Sequence, residues 1–150
     1  MNNHFTKITV LLFCFFTLEP LFAENDEYSK VFGDYEVHYS VFNTSFLTPE
    51  VASAYKIVRS KELALVNIAI RKKTGNGDTK AVPAIIKGSV RDLIHTTPLE
   101  FREVREQDAI YYLSNYKIDN KQTVYFSLSV QPDPNVSPYK LEFSKMLYVD

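Results

Sequence analysis

Cysteine is nearly missing from this chain of 150 residues, and the single one, Cys14, lies in an apolar run near the N-terminus. Everything after it is free of thiols. That excludes a disulfide framework, a thiol nucleophile and cysteine metal ligands from the rest of the chain. Tryptophan is absent, which argues against a sugar-stacking platform, and only His4, His38 and His95 supply imidazoles. No HExxH or CxxC spacing is present, so no metal site is expected. Neither is a GxSxG elbow or a phosphate-cradling loop. Gly75 and Gly77 read as a turn, because no helical pattern follows them as a dinucleotide fingerprint requires. The net charge of −1 provides no basic field for nucleic acid. No cofactor is expected.

The first residues have the pattern of an export signal. Lys7 supplies a positive charge, residues 8–18 an apolar centre, Glu19 and Pro20 a break, and Ala23 a small residue before a polar stretch. A spanning helix needs roughly 20 apolar residues, and Glu19 stops this run short of that. The expected organisation is a cleaved signal peptide over 1–23, a flexible segment over 24–33 and one domain over 34–150. A chain of that size forms a single core. Phe13 before Cys14 does not suit a lipoprotein signal. Beyond the leader nothing is long and apolar enough to span a membrane.

Alternation with period two dominates the rest of the chain, the signature of half-buried strands. Residues 34–42 put Tyr35, Val37, Tyr39 and Val41 on one face. Val66, Ile68 and Ile70 share a face within 63–72, and Val124, Phe126, Leu128 and Val130 within 123–130. Further strands are expected over 82–94, 99–104 and 109–118, and around Tyr139, Leu141 and Phe143. Residues 73–78 have the composition of a turn with positive φ values. Asp119 and Asn120 stand at hairpin spacing. Thr48, Pro49 and Glu50 form a helix start, predicting a short helix near 48–56. The pattern predicts an all-β fold: an Ig-like antiparallel β-sandwich of about seven or eight strands, with an open barrel as runner-up.

Five polar residues are candidates for a binding site. His38 shares a strand face with Glu36 and Ser40 and is a candidate proton carrier or ligand contact. Asn67 interrupts an apolar strand, where an unpaired amide costs about 1–3 kcal/mol. Arg59 ends a β-run, and Arg102 and Glu103 open the densest charged stretch. For each the bland alternative is structural: an edge histidine, a loop hydrogen bond, a solvated strand end. Asn43 and Asn135 match the glycosylation sequon, which matters only in a eukaryotic secretory pathway.

Residues 37–60, with 66–70 and 101–112, resemble a family of uncharacterised exported proteins of Gram-negative bacteria, domain-of-unknown-function family 4426. Tyr39, Phe46, Pro49, Tyr55, Arg59, Asn67, Arg102 and Glu103 carry the match. The resemblance implies a soluble periplasmic β-sandwich and carries no activity. The resulting expectation is a non-catalytic periplasmic domain that binds another envelope protein or a small ligand. The rivals are a hydrolase-like enzyme using carboxylates, or His38 with Arg59, and an assembly factor of the cell envelope.

Overall fold

The computed structural model describes residues 27–149; the expected leader over 1–23 lies outside them. Ten strands form two antiparallel sheets. In chain order they are β1 (Glu27–Phe32), β2 (Tyr35–Asn43), β3 (Leu63–Lys73), β4 (Thr79–Ala81), β5 (Ile85–Arg91), β6 (Thr96–Pro98), β7 (Arg102–Arg105), β8 (Ile110–Lys117), β9 (Gln122–Gln131) and β10 (Tyr139–Leu147). A six-stranded sheet runs β1-β2-β3-β8-β7, with β4 beside the far end of β3. A four-stranded sheet runs β10-β9-β5-β6. The sandwich class and its short helix are as expected; β4 and β6, three residues each, account for most of the extra strands.

The predicted inward faces meet as one core. Val37, Val66, Ile68 and Ile70 of the first sheet pack against Val124, Phe126, Leu128, Val130 and Leu141 of the second. Phe143 stacks on both Phe126 and Tyr39, at 4.7 and 4.4 Å between ring centres. Gly88 lets β5 lie close to β9: a Cβ there would stand 2.6 Å from the Ser127 carbonyl oxygen.

Several expectations about boundaries change. Residues 27–32, expected within the flexible segment, form β1 and pair along β2, because Phe32 packs on the core and stacks on Tyr139 at 4.8 Å. The run 82–94 is not one strand. Pro83 falls between β4 and β5, where the chain passes from one sheet to the other, and Leu93 and Ile94 lie in a turn. The run 99–104 likewise passes back, from β6 to β7. Asp119 and Asn120 do not close a hairpin. β8 is flanked by β3 and β7, and β9 by β10 and β5, so neither has an edge left for the other. The chain instead turns between sheets through Lys121, whose φ is 55°.

The short helix α1 (Pro49–Ala54) starts as predicted. The Thr48 hydroxyl accepts from the Val51 N–H at 3.3 Å, and Pro49 occupies the first turn. It ends in a Schellman closure: Ile57 N–H donates to the Ala52 carbonyl and Lys56 N–H to the Ser53 carbonyl, with Lys56 left-handed at φ 53°. The closure turns Ile57 back beside Ala52. Both then pack on Leu65 and Leu113, forming a second small core on the outer face of the six-stranded sheet.

Candidate functional site

Strand register decides which candidate residues can meet. Ser40 lies opposite Asn67, and His38 opposite Ala69. Asn67 lies opposite Leu113, which in turn lies opposite Arg102. Directly opposed residues share a face, so His38, Asn67 and Arg102 all stand on the outer face of the six-stranded sheet. Glu103 follows Arg102 and therefore points to the other face. Arg59 is not on a strand.

The arginines and Glu103 have local tasks. Arg102 Nη2 donates to the carbonyl of Tyr55, the residue that caps the C-terminus of α1. The Tyr55 hydroxyl donates to Glu106 Oε1 at 3.0 Å, and that bond raises the phenol's pKa. Together they tie α1 to the β7 edge. Arg59 Nη2 donates to the Ser45 carbonyl at 3.1 Å. Ser45 lies beyond Asn43, so Arg59 is held past the end of β2. His38 is five residues back along that strand, about 17 Å at the usual rise. Glu103 accepts from Arg105 Nε at 2.5 Å and from the Tyr112 hydroxyl at 2.9 Å. These bonds hold its carboxyl below the usual range. Burial is the main reason the Tyr112 phenol is raised. Its oxygen also accepts from the Ala84 N–H at 2.8 Å, so the group braces the crossing from β4 to β5.

Asn43, the first sequon residue, is buried. It donates to the carbonyls of Lys61 and Tyr148 at 3.1 and 2.6 Å. Its amide is a structural clasp and not an open modification site. The buried Thr44 hydroxyl completes the clasp, accepting from Ser60 N–H at 2.8 Å.

His38 and Asn67 lie farther in on the same face. His38 Nε2 lies 3.5 Å from Glu36 Oε1. Asn67 lies in a groove of about 250 Å³ between the sheet and α1, whose walls include Phe42, Leu47, Val51, Tyr55 and Tyr111. The groove's floor is Leu65 and Leu113. Asn67 Oδ1 is buried there and accepts no hydrogen bond from any described residue. Tyr111 also borders a smaller cleft of about 160 Å³ that contains His38, Ala69 and Arg71. The arrangement provides an apolar trough with one acceptor set into it, and a histidine and an arginine farther along the sheet.

Sequence reasoning found Asn67 but missed the walls around it. The available signal was Tyr111 and Leu113: β8 is apolar on both faces, as a strand covered on both sides is.

The profile of a family described as Domain of unknown function (DUF4426) matches residues 29–150. The chain belongs to that family. A crystal structure of a DUF4426 family protein from Pseudomonas aeruginosa is similar to it at 39% identity and a TM-score of 0.70, covering 83% of this chain and 97% of that one. A copper-bound variant of FetP from uropathogenic Escherichia coli is similar at 12% identity and a TM-score of 0.57, covering 81% and 95%. A second FetP structure, of the protein as isolated after periplasmic expression, gives 14%, 0.54, 82% and 96%. At those identities FetP shares the fold. No curated protein sequence matches the chain. Among the described residues no helix is long and apolar enough to cross a membrane.

Proposed function

We propose that this DUF4426 domain is a non-catalytic binding module of the periplasm, exported by its N-terminal leader. It recognises another envelope protein or a small ligand in the groove between α1 and the six-stranded sheet. The observation that carries this reading is Asn67 Oδ1. A buried acceptor without a donor costs about 1–3 kcal/mol, and a ligand N–H or O–H would recover that cost. The surrounding Phe42, Leu47, Val51 and Tyr55 favour an occupant with an apolar body and one donor, the usual chemistry of a binding pocket.

Catalysis is less well supported. A hydrolase using His38 with Arg59 would need the two within hydrogen-bond reach, whereas Arg59 is engaged with Ser45 beyond the end of β2. The copper of FetP does not extend to this chain: no group of three or more His, Cys, Asp or Glu side chains among the described residues could hold a metal. The proposal therefore includes no metal.

The test is site-specific photo-cross-linking in intact cells. A cross-linker at Val51, on the groove rim, is compared with one at Ser129, on the outer face of the other sheet. Adducts from Val51 that disappear in Asn67→Leu support the groove. Adducts from Ser129 alone would transfer the binding surface to the four-stranded sheet and sink this reading.

A further inference from the structure

The turn joining β5 to β6 holds two large aliphatic side chains in water. Leu93 is 90% exposed and Ile94 83%, more than any other large apolar residue described. Local collapse does not hide them, because Asp92 locks the turn. Its Oδ1 accepts from the Ile94 and His95 N–H groups at 2.7 and 2.6 Å, and its own N–H donates to the His95 carbonyl at 3.0 Å. Gln122 Nε2 reaches the other carboxylate oxygen at 3.4 Å, steadying the turn from β9.

Those bonds decide what the tip can enter. The Asp92, Ile94 and His95 N–H groups, already satisfied, lose little when water is removed, which a lipid environment demands. The residues behind the tip suit an interface. The Arg91 guanidinium lies 4.7 Å over the Tyr125 ring, an amphipathic pair of the kind found at headgroup level. His95 is exposed, with Nδ1 3.8 Å from Asp92 Oδ2. A second copy of the chain is a poorer occupant. Two side chains offer far less than the about 800 Å² per partner of a stable protein interface, whereas a bilayer sets no minimum area.

We propose that the Leu93–Ile94 turn is a membrane-surface contact, inserting two aliphatic side chains at the boundary between headgroups and acyl chains while the sandwich stays outside. It is independent of the groove, which lies on the other sheet. The contact is weak and reversible, below the roughly 10⁴ M⁻¹ of a single myristoyl chain, so it orients the domain at a surface without anchoring it.

The chain has no tryptophan, so Leu93→Trp creates a sole reporter in the full-length exported protein. Vesicles of phosphatidylethanolamine and phosphatidylglycerol with brominated acyl chains are the probe. The expected result is a blue-shifted and quenched emission. In co-sedimentation, wild type is retained about tenfold or more better than the double variant Leu93→Ser, Ile94→Ser. Both positions are exposed, so the variants keep the wild-type unfolding midpoint. An unquenched reporter, or equal co-sedimentation of wild type and double variant, overturns the proposal. So does a dimer in sedimentation velocity that the double variant loses, which would assign the tip to a second copy.

Discussion

On the outer face of the six-stranded sheet, β3 and β8 direct Leu65 and Leu113 under α1, where both are buried. On the outer face of the four-stranded sheet, β9 directs Tyr125, Ser127 and Ser129 into water, and β10 adds Glu142 and Ser144. That second face carries the larger hollow, about 440 Å³. Its charged groups are served locally: Lys140 Nζ lies 2.8 Å from Glu142 Oε1, and Arg91 covers Tyr125. The smaller groove holds the buried acceptor. In the proposed reading the groove therefore ranks by its unmet polar group and not by its volume.

Truncating one residue on each face probes the contrast most directly. Leu113→Ala should cost about 2–5 kcal/mol, as in a core, while Ser127→Ala should stay within about 0.5 kcal/mol. Urea midpoints measure both, and similar small shifts would mean that α1 does not seal the first face. A finer test is Asn67→Leu. Replacing a buried, unmet amide by an apolar side chain of similar size should raise stability by about 1 kcal/mol. A clear loss in thermal unfolding would show that Asn67 has a partner in the folded protein and would remove the main support for the groove.

The smallest expected effect is on pH. Glu103, at the edge of the six-stranded sheet, and Asp92, in the turn of the four-stranded one, are both held below their ordinary values, by Arg105 and by the His95 N–H respectively as the leading causes. A depressed carboxyl contributes stability that is present above its unfolded value and lost as pH falls through the folded one. Unfolding midpoints should therefore fall on acidification below about pH 4, and less steeply in Glu103→Gln and Asp92→Asn. Variants that keep the full wild-type slope would assign the acid sensitivity to other groups.

Much of this architecture was legible residue by residue. Inward positions on β2, β3 and β9 follow from period-two alternation, which needs no knowledge of partners. The start of α1 follows from Thr48 and Pro49, because capping is a contact between near neighbours. The sequence also marked Asn67, since an amide between Val66 and Ile68 is anomalous wherever the strand lies. The misread segments are those whose meaning depends on distant chain. Asp119 and Asn120 have turn chemistry, but whether a turn joins paired strands or separate sheets depends on which edges are already taken. Residues 82–94 are apolar enough for one strand, yet the chain changes sheets at Pro83.

The amino-acid pattern was enough to establish a β-sandwich with a single main core, because alternation and turn chemistry are local properties. It took the folded arrangement to show that Arg59 and Arg102 clasp the α1 segment, that Glu103 turns away from Arg102, and that Asn67 shares its groove with Tyr111 and Leu113. Those outcomes rest on strand register and on where α1 docks. Both are set by the sum of many weak packing contacts between residues far apart in sequence, which no single stretch of sequence encodes.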